Sequence, residues 1–224
     1  LERLSYLYER SSIEEASKLY EAALKQLRAA YADHPGSAHA GFKLASLYHQ
    51  LAGNYNPELS EDYRWYLSDA LKLCYEIIEK YPQSYGGKSC RALASQLSAP
   101  DLNVTVEEKI SPGILSKGLL SLKNLSGAKL RVYRIAHEFE GDSDWGRDDF
   151  KKVRALVSRK AIWTRTYKVK PETDLRSHSY ELPLTKLPSG HYILIATSTA
   201  DDAFKENTIM GYSVFNCTEI SYLS

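Results

Sequence analysis

Three histidines in the first fifty residues, His34, His39 and His49, are the first candidates for metal chemistry. Catalytic zinc on a helix uses a His-Glu-x-x-His pattern, because residues four apart share a face. These histidines are spaced five and ten apart with no acid in the required place, so they read as surface or capping residues. Cys74, Cys90 and Cys217 are too few and too scattered for a disulfide framework or a zinc site. Cys74 falls on an apolar helical stripe, as a small buried hydrophobe does. Asp142 and Asp144, in the acidic stretch 140–146, resemble the start of a calcium loop. The position that needs a bidentate Glu is Val153 and the position that needs Gly is Arg147, so a solvated loop is expected, with weak calcium binding left open. Gly86-Gly87-Lys88-Ser89 resembles the end of a phosphate loop, but Pro82 stands where the earlier Gly belongs and a helix precedes it. No catalytic residue, cofactor site or metal site is assigned, and a non-enzymatic role is expected. The remaining candidate is a contact surface: Trp145, Lys151, Arg154, Trp163 and Tyr167 combine aromatic and basic groups of the kind enriched at binding hot spots. Lys152, Arg159 and Lys160 add to its basic side, for which a solvated helix face is the alternative. Trp163 has an equally plain alternative as core on its own strand.

The elements that must carry these residues change character near Pro100. From Ser12 to about Tyr31, Ala16, Leu19, Tyr20, Ala23, Leu24, Leu27 and Tyr31 recur at three and four, one stripe of a helix. Ser12 and Glu15 make a capping box, and Pro35-Gly36 stops the helix. Ser37 is expected to cap a second helix through Leu51; a third is expected over about 60–81 and a shorter fourth over about 84–98. At an offset of 47, Ala23, Leu24, Leu27, Ala30, Pro35 and Ala45 fall on Ala70, Leu71, Cys74, Ile77, Pro82 and Ala92. That pattern resembles the second helix of a tetratricopeptide (TPR) repeat, and Leu44, Ala45 and Tyr48 resemble its first. After Pro100 the period becomes two. Leu102, Val104 and Val106 alternate with polar residues. Further strands are expected at about 115–123, 128–136, 161–170, 177–184, 190–198 and 208–220. A short helix is expected within 148–160, where Phe150, Val153, Leu156 and Val157 lie among basic residues. The reading is an α+β, multidomain chain: a TPR-like helical repeat over 1–99, then a seven-stranded antiparallel sandwich of immunoglobulin or fibronectin type over 100–224, with a short inserted helix.

Bulk properties narrow the partners. The 29 Lys and Arg nearly balance 28 Asp and Glu, and the balance holds in each half, so the surplus of a phosphate-backbone binder is absent. Nucleic acid is not expected as a partner. No run approaches the ~18 apolar residues of a membrane span. The 17 tyrosines against 5 phenylalanines stand out, since tyrosine suits half-buried sites with a wet hydroxyl. The chain begins Leu1-Glu2-Arg3 without a signal peptide, as a piece of a longer protein would.

One resemblance follows from ordered motifs: ALKLCYEIIEKYP (70–82), LNVTVEE (102–108), GLLSLKNLSGAKLRVYRI (118–135), HSYELPL (178–184), LPSGHYILIAT (187–197) and EISYL (219–223). This order resembles the N-terminal region of bacterial, Bacteroidetes-type alpha-2-macroglobulin-like proteins, a helical segment followed by a fibronectin-like macroglobulin (MG) domain. The resemblance implies a scaffold fragment of a large secreted, periplasmic or cell-surface protease trap. Its partners would be the following MG domains of the same chain, with proteases as targets of the parent. No Cys here is followed by Gly-Glu-Gln, so the family's thioester carries over to no residue. Two alternatives stand beside it: a stand-alone peptide-binding TPR-like adaptor, and a cell-surface carbohydrate-binding protein.

Overall fold

The computed structural model describes residues 13–135, 152–199 and 208–219, and these form two compact units. Of the described residues, one unit contains those from 13 to 99 together with Thr173–Arg176, and the other contains those from 100 to 172 and from 177 to 219. The expected contact residues Trp145 and Lys151, the capping Ser12, and Asp142, Asp144 and Arg147 of the calcium-like loop lie outside the described residues.

Within the first unit, helices α1 (Ile13–Ala30), α2 (Ser37–Leu51), α3 (Tyr66–Lys80) and α4 (Tyr85–Ser98) pack each on the next, and α2 also packs on α4. Their stripes meet in one core around Leu24, Leu44, Ala45, Ala70, Cys74 and Leu97. Full burial of each leucine contributes about 1.5–3 kcal/mol. Cys74 and Cys90 are free thiols inside this core. The Cys90 thiol donates to the Cys74 sulfur, and that bond, reinforced by burial, pushes Cys90 up, so it stays protonated and acts as a small packing residue.

Helix boundaries follow local chemistry. Ser84 caps α4, its hydroxyl accepting the Gly87 N–H at 3.0 Å. Ser37 does not cap α2; it is the buried first residue of the helix, and the Gly36 N–H instead donates to His34 Nδ1 at 3.0 Å. α3 begins at Tyr66 rather than near residue 60. Ser60 bonds locally instead: its hydroxyl accepts the Asp62 N–H and donates to Asp62 Oδ2, a turn that competes with helix. Tyr63 then takes φ 63°, which a helix cannot contain. The offset of 47 does not superpose the buried positions, since exposed Ala30 falls on buried Ile77.

The second unit is a two-sheet sandwich. Its described strands are β1 (Asp101–Val106), β2 (Lys109–Ile110), β3 (Lys117–Lys123), β4 (Gly127–Ile135), β5 (Trp163–Lys168), β6 (His178–Pro183), β7 (Gly190–Ser198) and β8 (Met210–Cys217). One sheet has the order β1-β3-β6 and the other β2-β8-β7-β4-β5. All pairings are antiparallel except the two-residue β2, which runs parallel to β8 and is too short to read from periodicity. Leu102, Val104, Leu120, Leu122 and Leu182 of the first sheet close on Leu130, Val132, Tyr192, Leu194 and Phe215 of the second. The outer face of the larger sheet carries a further cluster, Tyr133, Ile135, Ile193 and Ile195, covered by Val153 and Leu156 of the helical stretch 152–157. That double cover explains why 192–196 reads as an unbroken apolar run rather than an alternation. Arg131, on this outer side, is buried and donates to Thr197 Oγ1 at 3.1 Å; burial lowers its pKa without discharging it.

The turn into β7 is fixed by Tyr192, whose hydroxyl donates to the Pro188 carbonyl at 2.8 Å. Such a tyrosine, bonded to backbone a few residues upstream at a strand corner, is a structural device of antiparallel sandwiches. The Leu-Pro-Ser-Gly-His-Tyr sequence is the device spelled out: Gly190 takes φ 155°, and Tyr192 stacks on Phe215 with ring centroids 5.7 Å apart.

Candidate ligand-binding cleft

Of the expected contact surface, the described residues Arg154, Trp163 and Tyr167 do not come together on one face. Trp163 and Tyr167 lie four apart on β5, half-buried against the sandwich core, with Tyr167 5.9 Å from the Tyr180 ring. Arg154 is exposed on the helical stretch 152–157, whose apolar side packs on the opposite face of the same sheet. Lys152 is half-exposed, and Arg159 and Lys160 are exposed just beyond it.

A different constellation is built inside the first unit. Residues four apart on α1 place Ser17, Glu21 and Lys25 on one side. The C-terminal end of α2 brings Tyr48 and Leu51, a short 3-10 turn (Ala52–Asn54) brings Asn54, and the turn before α3 brings Asp62, Tyr63 and Tyr66. Together Ser17, Lys18, Glu21, Leu51, Asn54, Asp62, Tyr63 and Tyr66 line a cleft of about 440 Å³. Its aromatic wall is ordered. Tyr66 lies 5.1 Å from the Tyr63 ring, edge-on at 78°, and 5.1 Å from the Tyr48 ring, tilted at 56°. Edge-to-face and tilted pairs at this separation are favoured by the ring quadrupoles.

Electrostatics tie this wall to α1. The Tyr48 hydroxyl donates to Glu21 Oε1 at 3.0 Å, and Lys25 Nζ sits 2.6 Å from the same oxygen. Burial, then the hydrogen bond to Glu21, pushes the Tyr48 phenol up. Burial also raises Tyr66, with Glu21 adding to it. Both phenols are therefore neutral donors at physiological pH.

The position of Tyr63 is enforced from below by the segment Thr173–Arg176. The Arg176 guanidinium donates to three carbonyls: Nη2 to Tyr63 at 2.7 Å and to Ala52 at 2.9 Å, and Nε to Arg64 at 3.0 Å. Its plane lies 4.4 Å from the Tyr55 ring centroid. Asp174, fully buried, accepts the Arg176 N–H at 3.1 Å through Oδ1 and Arg64 Nε at 3.4 Å through Oδ2. Ser68 donates its hydroxyl to the Thr173 carbonyl, and Leu175 packs against the helical core. A left-handed backbone at a bulky residue costs of order 1–3 kcal/mol and persists only where surrounding contacts over-determine it. Here one planar fork holds the three backbone oxygens that fix the turn.

A second cleft, of about 390 Å³, opens between α1 and α3. Its floor is Ala29, Ala32, Ala38 and Ile77, and its rim carries Lys25, Arg28 and Lys80. These cations already face oxygens of the unit itself: Arg28 meets Glu76 at 3.4 Å, and Lys80 meets the Ala32 carbonyl at 2.8 Å and Asp33 at 3.3 Å.

Sequence reasoning did not find the tyrosine cleft. The excess of tyrosine is its one visible signal; Tyr63 and Tyr66 fall inside the helix expected over about 60–81. Asp174 and Arg176 had no signal, since their partners stand more than a hundred residues away.

No protein-family model matches the chain, and no curated protein matches it. Among solved structures, the crystal structure of the CARDB domain of the PF1109 protein from Pyrococcus furiosus, in complex with di-metal ions, is 17% identical over 54% of this chain and 94% of that chain, with a TM-score of 0.29. The solution structure of the same domain is 18% identical over 53% of this chain and 94% of that one, with a TM-score of 0.28. BslA, a bacterial hydrophobin, is 11% identical over 55% of this chain and 97% of that one, with a TM-score of 0.29. At these scores no property of those proteins transfers. The comparisons do correct one expectation. The resemblance to alpha-2-macroglobulin-like proteins is overturned: the structures that match include a CARDB domain and a hydrophobin, and no protein-family model matches. The physical reason is in the motifs themselves. LPSGHYILIAT encodes the Tyr192 corner and a doubly covered strand, packing features that sandwiches of different families can share. The protease-trap parent, its MG-domain partners and the secreted or periplasmic location rested on that resemblance alone and go no further.

Proposed function

We propose that the chain is a non-catalytic interaction module whose helical unit binds a short peptide segment in the tyrosine-lined cleft. The observation that carries this reading is the pair Tyr63 and Tyr66 lining a cleft of about 440 Å³, with Tyr48 packed behind Tyr66 and the Tyr63 carbonyl held by Arg176. Rigid aromatic side chains offer large contact area with little rotamer entropy to lose, and a pre-formed site keeps more of the interaction energy as affinity. Helix pairs stacked one on the next commonly present such surfaces.

The finer fold assignment belongs to the same proposal. A TPR-like stacking of helix pairs is supported by the successive packing of α1 to α4 and the added contact of α2 with α4. An immunoglobulin or fibronectin type of sandwich is supported by the two strand orders and the Tyr192 corner. In this reading the sandwich acts as scaffold.

A peptide array probed with the full chain tests the proposal. Peptides that bind the wild type are expected to weaken by at least about tenfold with Tyr66→Ala and to keep most of their affinity with Tyr66→Phe, which retains the ring. Circular dichroism establishes that both variants are folded. If every selected peptide binds a folded Tyr66→Ala protein unchanged, the cleft is not the binding surface.

A further inference from the structure

We infer that the tyrosine cleft selects a basic peptide segment, seating a lysine or arginine side chain between its aromatic wall and its carboxylates; this rests on the peptide-binding reading above. Charge complementarity is the first argument. Among the described residues the lining carries Glu21 and Asp62 against Lys18, and Lys25, which meets Glu21 from outside the lining, is the cation a basic ligand would displace. The carboxylates come from different elements, Glu21 from α1 and Asp62 from the turn before α3, and both belong to the lining that also contains the Tyr63 and Tyr66 rings. An ammonium or guanidinium lying on a tyrosine face is attracted by the ring quadrupole, and a carboxylate within reach supplies a charge-assisted hydrogen bond. The described residues of the same unit already pair cations with aromatic rings: Arg176 lies 4.4 Å from the Tyr55 ring, Arg64 5.0 Å from the Trp65 ring and Lys80 5.5 Å from the Tyr81 ring.

Glu21 retains capacity for a ligand. It accepts from Tyr48 and meets Lys25 at one oxygen, Oε1, whereas a carboxylate offers about four lone-pair sites. Its side chain is 21% exposed, while that of Lys25 is 57% exposed. With its lysine largely in water, an i,i+4 pair of this kind is weakly held, so an incoming cation can displace the Lys25 ammonium while the Tyr48 hydroxyl keeps the carboxylate in place. Asp62 is exposed and is oriented by Ser60 through two hydrogen bonds. The second cleft has the opposite sign, but its rim cations are already directed at Glu76, Asp33 and the Ala32 carbonyl, so an anion there must compete with the unit's own oxygens.

Fluorescence anisotropy on the full chain tests the inference with three labelled peptides of one length: a lysine- and arginine-containing peptide, its glutamine counterpart and its glutamate counterpart. The basic peptide is expected to bind at least about tenfold more tightly than the glutamine one, to weaken with added salt, and to lose that preference in the Glu21→Gln, Asp62→Asn double variant. Glu181→Gln, on the sandwich, is expected to leave the preference unchanged. Equal binding of the basic and glutamine peptides would overturn the inference, as would a preference that survives the double variant or falls equally with Glu181→Gln. If the glutamine peptide binds in a Tyr66-dependent way, the peptide-binding reading stands and only the choice of a cation fails. If no peptide depends on Tyr66, the underlying reading fails as well.

Discussion

Gly86→Ala is expected to remove at least about 3 kcal/mol from the helical unit, or to prevent its folding, because the added carbon meets backbone rather than a movable side chain. A Cβ at Gly86 would lie 2.1 Å from the Ala38 carbonyl oxygen, 2.2 Å from its carbon and 2.7 Å from the His39 nitrogen. The first turns of α4 and α2 therefore approach more closely than any side chain at 86 permits. Relief requires α4 to move away from α2, and that loosens Cys90, Leu93, Ala94 and Leu97, all buried in the same core. Overpacking by a methyl group costs about 1–3 kcal/mol where side chains can yield, and more where a helix must shift. Gly87 is restricted in the same way, since its Cβ would lie 2.1 Å from the Tyr81 oxygen. Gly53→Ala is the matched control: nothing lies within 4 Å of its Cβ, so its effect is expected to stay within about 0.5 kcal/mol. Urea unfolding followed by circular dichroism measures both, and equal stabilities for Gly86→Ala and Gly53→Ala would contradict the packing described.

Arg176→Ala is expected to cost about 3 kcal/mol in the same measurement. The side chain donates to three carbonyls, of Ala52, Tyr63 and Arg64, and hydrogen bonds from a charged donor contribute about 1.5–3 kcal/mol each before the partners find water. Burial pulls the guanidinium pKa down while Asp174 and Tyr55 oppose it, and an arginine has ample margin to stay charged. Arg176→Lys is expected to recover only part of the loss, because one ammonium cannot present a planar fork to three oxygens. The loss should also release Tyr63 from its left-handed conformation. Weaker peptide binding than the stability change alone explains would then accompany it. A variant as stable as wild type would show that the segment 173–176 rests on the helices without holding them.

These two residues also show what was legible in the chain. Gly86-Gly87-Lys88-Ser89 resembles a phosphate-loop ending that lacks its earlier glycine; the structure supplies the positive reason for the glycines, a close approach to α2 at Gly86 and to the Tyr81 backbone at Gly87. Helical stripes and strand alternation are local, so α1 to α4 and the longer strands were readable within a few residues. The boundary of α3 was not, because Ser60 and Asp62 form a turn whose stability depends on side-chain bonds that periodicity does not register. Arg176 was unreadable for a stronger reason. An arginine in an irregular segment looks like a solvated charge until the chain brings Ala52, Tyr63 and Arg64 to it. The tyrosine cleft lies between these cases. Its residues were visible as an unusual composition, but their convergence depends on α1, the end of α2 and a turn that local patterns misassign to helix. The macroglobulin resemblance failed because packing motifs can be shared by sandwiches of different families.

The central claim, that the helical unit binds peptide through the tyrosine wall, is tested most directly by ring-labelled tyrosine NMR on the full chain. A peptide selected from the array is titrated while the resonances of Tyr48, Tyr63 and Tyr66, assigned by single Phe substitutions, are followed. The account predicts saturable shifts at these three rings, with Tyr167, Tyr180 and Tyr192 of the sandwich unmoved. Shifts confined to Tyr167 and Tyr180, with the cleft rings silent at saturation, would contradict it and place binding on the sandwich instead.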